Sequence, residues 1–280
     1  MASNDEFRFV SLLALELENG DISLPSLPDV VLKIRKLLER DNCTFDLISQ
    51  AVSVDAVLVS RLFVFANSAY YNRANIKAET LDAAISRLGF EVVRNTAMSL
   101  AMKQLYNTDT RDDLARHVRE VWLHGIRLSC MAYAVARGQS QLNQETAYLC
   151  GLMHEVGKLY ILTKAEEFPE FLGEPEKLES VMQEWNPQVS KSIVESWGFP
   201  DEVVESTDPE TYAHPDTDAE ATLLDVIVAA DLLLRLGDQE PDSEFADNLS
   251  CVRLGLDAEN AANVISGYET KLETVQQSLA

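Results

Sequence analysis

Apolar residues recur at three- and four-residue intervals along nearly the whole chain, and no run of useful length alternates with period two. That spacing gathers apolar side chains on one face of a helix and leaves no half-buried strand to pair into a sheet, so the fold class is all-α. Residues 4–19 read as a first helix, broken by Gly20. Leu24-Pro25-Ser26-Leu27-Pro28 then forms a rigid entry, with Pro28 acceptable in the first turn of the following helix. That helix carries Val30, Val31, Ile34, Leu37 and Leu38 on one side. Thr44 caps a helix through Leu47, Ile48 and Val52; another spans Val54 to Phe65 and ends at Asn67-Ser68. The stretch Thr80 to Leu88 is closed by Gly89, and a helix from Phe90 to Leu105 follows.

Asn107 to Asp113 is polar and turn-like, and beyond it the helices lengthen, which makes it the expected boundary between two lobes. Leu114 to Ala136 and Gln144 to Thr163 read as long helices, and Pro187 to Trp197 as a third, stopped by Gly198 and Pro200. An acidic, proline-containing loop spans 207–220, Leu223 to Leu236 is an apolar helix, and Ala258 to Leu279 is a polar terminal one. The expected organisation is an N-terminal helix over 1–20 and a helical domain over 20–240. The domain divides into a lobe at 20–110 and a lobe at 111–240, and 241–280 is a helical extension.

Charge narrows the partners. With 46 acidic against 23 basic residues, the formal net charge is -23, a field that repels phosphate backbones and anionic bilayers. Nucleic acid and membrane are therefore not expected partners. The richest apolar stretch, Leu223 to Leu236, is too short for a membrane span and carries Asp225, Asp231 and Arg235. Cys43, Cys130, Cys150 and Cys251 show no CxxC spacing and read as thiols of a reducing compartment. The opening MASNDEF lacks the basic and apolar regions of a signal peptide, so the expected location is the cytoplasm.

Chemistry concentrates in Gly151-Leu-Met-His154-Glu155-Val-Gly157-Lys158-Leu159. Leu149, Leu152, Met153 and Val156 surround the His-Glu pair, so at least one of the two is expected to be buried. A buried lone carboxylate costs several kcal/mol, roughly, unless it is paired or holds an ion. Two partners are open: a metal shared with His124 and Asp231, or a positive side chain or capping amide. His117 lies two turns before His124, so both histidines could line one cleft. Asp231 interrupts an apolar helix, and Arg235, four residues on, could pair with it. Lys158 stands one turn past His154, either as a surface lysine or as an anion contact. It also occupies the position where a zinc protease needs its second histidine, and no phosphate loop or GxSxG elbow is present. Tyr70-Tyr71 reads as helix-terminal packing.

Several strings together resemble the HDOD family, the HD-related output domains of bacterial signalling proteins. They are Leu24 to Pro28, Val57 to Tyr71, Ala83 to Gly89, Trp122-Leu-His124, Ala147 to Leu159, and Glu195-Ser-Trp-Gly-Phe-Pro200, in the family's order over about residues 20–237. The resemblance implies a two-lobed helical bundle of the HD-domain, phosphodiesterase-like type. Related HD enzymes hold a divalent metal through a histidine, a His-Asp pair and a later aspartate. Those positions carry over as His124, His154 with Glu155, and Asp231, a degenerate set because glutamate replaces the aspartate of the pair. Further histidines of many family members are replaced here by Asn186-Pro187-Gln188 and Ser206-Thr207-Asp208. The resemblance thus implies a regulatory signal-transduction domain with no catalytic residues and no cofactor, whose partners are signalling proteins or a second copy in a homodimer. The alternative is a phosphohydrolase acting on a nucleotide or cyclic nucleotide with Mn, Fe, Mg or Zn at those four residues.

Overall fold

Side-chain caps set where the helices begin. In the computed structural model, Thr44 accepts from the Leu47 N–H, Asp55 from Val57 and Leu58, Thr80 from Ala83, and Asn143 from Glu145 and Thr146. Each satisfies amides that the first helical turn leaves without a carbonyl. Gly89 follows its helix at φ 80°, a conformation that favours glycine, and closes it where the sequence predicts. The structure describes residues 4–22, 27–40, 42–106, 112–168, 174–207, 219–237, 245 and 247–279. The predicted entry at 24–26, the boundary at 107–111 and most of the acidic loop (208–218) lie outside them.

The described residues form helices and no strand. In chain order they are α1 Asn4–Asn19, α2 Asp29–Leu38, α3 Phe45–Val52, α4 Ala56–Asn67, α5 Leu81–Leu88, α6 Phe90–Tyr106 and α7 Asp112–Ala136. There follow α8 Gln144–Met153, α9 Val156–Ala165, α10 Pro175–Ser196, α11 Asp201–Glu205, α12 Leu223–Leu236, α13 Leu249–Arg253 and α14 Ala258–Leu279. No helix among the described residues is long and apolar enough to cross a membrane. The chain separates into two compact units, residues 1–25 with 108–261, and residues 26–107 with 262–280.

Within the second unit, α2 packs on α3 and α6, and α4 on α5 and α6. Asn67 at the end of α4 pairs with the Ala78 backbone through both side-chain atoms, at 2.7 and 3.2 Å. Arg87 donates to the carbonyls of Ala66 and Ile76, so the loop after α4 is tied at both ends. Tyr71 packs edge-on against Phe65, in keeping with helix-terminal packing. The terminal helix is less solvated than its polar sequence suggests. Lys271 is only 2% exposed, because its ammonium meets the Tyr71 hydroxyl at 2.9 Å and faces the Tyr70 and Tyr71 rings at 5.7 and 5.5 Å. Val275 and Leu279 are buried beside it, and Lys103 bonds the Leu279 carbonyl.

In the first unit α7 packs along α8 and α12, and α9 packs along α10. The contact of α7 with α8 is backbone to backbone, since a Cβ at Gly151 would fall 2.7 Å from the Ser129 Cα. Glu16 of α1 accepts from Tyr160 and Lys164 of α9, both at 2.7 Å. Near the start of α12, Asp225 is 2% exposed. One of its oxygens closes a capping box with Thr222, and the other accepts from Ser250 at 2.8 Å and Arg253 at 3.0 Å.

Two of the predicted helices differ from expectation, and the short α11 and α13 fall where the sequence predicts none. The predicted helix over 144–163 is two, interrupted at His154 and Glu155. The helix predicted to start at Pro187 instead runs from Pro175 with Pro187 inside it. Proline deprives the carbonyl four residues back of its donor. Pro187 and Gln183 both line an open cavity, so the lost bond falls beside water-accessible space rather than in the core.

Candidate functional site

The interruption between α8 and α9 is made by α10. Ser190 Oγ accepts from the Gly157 N–H at 2.8 Å, and Asn186 Oδ1 accepts from the Lys158 N–H at 3.2 Å. Those two amides are thereby drawn away from the carbonyls that would continue α8. Asn186 Nδ2 donates to the His154 carbonyl at 3.2 Å, and the Ser190 hydroxyl lies 3.1 Å from the same oxygen. Glu155 consequently adopts φ -112°, ψ 16°, outside helical geometry. Gly157 is required at this crossing, because a Cβ there would lie 2.7 Å from the Ser190 nitrogen and 2.8 Å from the Asn186 carbonyl oxygen.

The break turns His154 and Glu155 into a cavity of about 620 Å³ that is also lined by His117, His124, Lys158 and Asp231. All five predicted site residues meet there, and His117 joins His124 on one wall as their spacing suggests. His154 Nδ1 lies 3.2 Å from the Ser206 carbonyl. A carbonyl can only accept, so Nδ1 carries the proton and Nε2 keeps its lone pair. Burial pushes the His154 pKa below 6.5, with the Glu155 carboxylate opposing, which keeps this imidazole neutral near pH 7.

Glu155 is 8% exposed. Its Oε1 receives the Lys158 ammonium at 2.6 Å and stands 3.6 Å from His124 Nε2. Asp231 Oδ1 lies 3.8 Å from the same His124 nitrogen, while Arg235 bonds its Oδ2. A positive side chain, one of the partners left open for the buried carboxylate, is in contact with it.

A metal of the HD type would need these donors free and closer. Ligands about 2.1 Å from an octahedral ion are about 3.0 Å apart when adjacent and about 4.2 Å apart when opposite. The separations of 3.6 and 3.8 Å match neither, and both carboxylates already carry a cation. No three His, Cys, Asp or Glu side chains among the described residues are grouped to hold an ion. The donor set as arranged does not fit a divalent metal.

Residues that the sequence did not single out complete the site. Ser190 and Ser206 are fully buried and orient the His-Glu pair, and Asn186 acts beside Ser190; Asn186 and Ser206 drew notice only at positions of missing histidines. The spacing of Asn186 and Ser190, one helical turn apart on the buried face of α10, was the available signal.

The profile of the HDOD domain matches residues 24–211. Over 98% of its length the chain is similar to a Shewanella amazonensis protein provisionally named a metal-dependent phosphohydrolase, with 26% identity, full coverage of that chain and a TM-score of 0.79. An HDOD domain protein of unknown function from Geobacter sulfurreducens shares the fold at 21% identity, with 98% and 97% of the two chains covered and a TM-score of 0.65. A Marinobacter aquaeolei protein provisionally named for signal transduction also shares it at 21% identity, with 100% of this chain and 67% of that one covered and a TM-score of 0.65. An uncharacterized Treponema pallidum protein is 24% identical over 206 residues, or 69% of this chain; the match spans only 38% of that relative's length.

Proposed function

This chain belongs to the HDOD family, and from that premise we propose that it is a non-catalytic regulatory domain of signal transduction, acting by contact with other signalling proteins. The observation that carries the reading is the commitment of both acidic site residues to the chain's own cations, Glu155 to Lys158 and Asp231 to Arg235. A metal hydrolase needs an open coordination position and donors available to the ion. Here each of the two carboxylates that face His124 is already paired with a cation of the chain, and Glu120 and Glu179 also line the cleft. The acidic surface implied by a net charge of -23 favours protein partners over phosphate-bearing polymers.

One observation favours the metal-dependent phosphohydrolase instead: the His154 tautomer leaves Nε2 with the lone pair a metal would use. Hydrolysis assays separate the two. With Mn²⁺ supplied, purified protein is expected to hydrolyse nucleotide and cyclic-nucleotide phosphodiesters no faster than its His154→Ala variant. Metal-dependent turnover that disappears in His154→Ala would replace the regulatory reading with the enzymatic one.

A further inference from the structure

The net charge of -23 is not shared evenly by the two units. Residues 26–107 and 262–280 carry 10 acidic and 11 basic side chains, whereas the other unit holds 36 acidic against 12 basic. Two copies of the acidic unit repel each other, so a contact between copies needs the near-neutral unit on at least one side. In that unit, α4 buries Leu58, Leu62, Phe65 and Ala66. Val57 and Val64, 54% and 39% exposed, lie along a different side of the helix. Arg61, the only charged residue of α4, stands one turn from each of them. Its Nε is buried without a hydrogen-bond partner, and no carboxylate among the described residues pairs with it.

In the acidic unit, α1 presents the complement. Its inner side is held by Phe9, Leu13 and Glu16, and its outer side shows Phe7 and Leu15, 68% and 54% exposed. Glu18, one turn after Leu15, is exposed and bonds no described residue, unlike Glu16. We infer that the outer face of α4 is a self-association surface, and that its occupant is the outer face of α1 from a second copy of the chain. Leu15 and Glu18 are three residues apart, as are Arg61 and Val64, so each pair spans about 4.5 Å along its helix. An antiparallel crossing sets Glu18 on Arg61 while Leu15 covers Val64. The carboxylate supplies the partner that the guanidinium lacks in its own chain, and apolar surface on both helices leaves water. A pair of α4 faces would oppose two Arg61 cations, and a pair of α1 faces would bring two acidic units together. Charge therefore selects the mixed pair.

None of these residues lines the cleft, so this surface and the regulatory reading stand or fall separately. Sedimentation velocity of the full chain from about 1 to 100 μM is expected to show concentration-dependent association. Arg61→Glu and Glu18→Arg should each weaken it about tenfold or more, and the two combined should restore it to within about threefold of wild type. Wild type that stays monomeric throughout would overturn the inference. So would single variants that associate as wild type does, or a combined variant no better than either one alone. Val57→Asp, at an exposed position outside the core, replaces Arg61→Glu if that variant does not fold. It should weaken association by a similar factor, and wild-type association in Val57→Asp would contradict the assigned face.

Discussion

Replacing Asp225 with alanine is expected to destabilise the first unit by about 3–5 kcal/mol, the cost of breaking a buried ion pair from one side. Asp225 and Arg253 are 3% and 7% exposed at their side chains, so neither partner is screened by water. The substitution removes acceptors from Ser250 and Arg253 and half of the capping box at Thr222. A lost cap alone is worth about 1 kcal/mol. Asp231 and Arg235 lie on the same helix within three turns of Asp225, so the network that anchors the start of α12 also fixes the register in which Asp231 reaches His124. Urea denaturation of wild type, Asp225→Ala and Asp225→Asn measures the effect, with the amide variant expected between the other two. A loss below about 1 kcal/mol in Asp225→Ala would show that Arg253 and Ser250 are served by other groups.

Gly157→Ala is expected to cost about 1–3 kcal/mol through overpacking. The new methyl group would meet the backbone of α10 at 2.7 and 2.8 Å as well as the Ser190 hydroxyl at 2.8 Å, and turning that hydroxyl away would not relieve the backbone contacts. Alanine gains about 1 kcal/mol of helix propensity over glycine, too little to offset a displacement of about an ångström. The displacement also separates the Gly157 and Lys158 amides from Ser190 and Asn186, and with them the break that presents His154 and Glu155. Gly125→Ala in α7 is the control, since a Cβ there meets nothing within 4 Å. It should be neutral or stabilising. Chemical denaturation of both variants tests the pair, and equal effects would contradict the close-approach account.

Much of the fold was legible from local signals. Thr44, Thr80 and Gly89 act as the caps and stop that their residue types suggest, and the apolar spacing locates nearly every helix. Convergence of His124, His154, Glu155, Lys158 and Asp231 followed from the family strings rather than from spacing, because these residues come from three separate helical segments. The break at 154–155 was not legible. Apolar residues continue through 149–162 without a pause, and the groups that interrupt the helix stand about 30 residues away on α10. The twelve residues before Pro187 were hidden for a related reason: proline normally opens a helix, and only the cavity beside it lets this one sit inside. Lys271 illustrates the reverse error, a charged residue in a polar helix that is buried because a tyrosine hydroxyl and two ring faces receive it.

The Lys158–Glu155 contact is the point on which the account turns. The direct measurement is a crystal structure of the wild-type protein grown with millimolar Mn²⁺, read by anomalous scattering at the cleft. The account predicts no manganese peak among His124, His154, Glu155 and Asp231, with the Lys158 ammonium on Glu155. A peak coordinated by those residues, with Lys158 turned out to solvent, would contradict it.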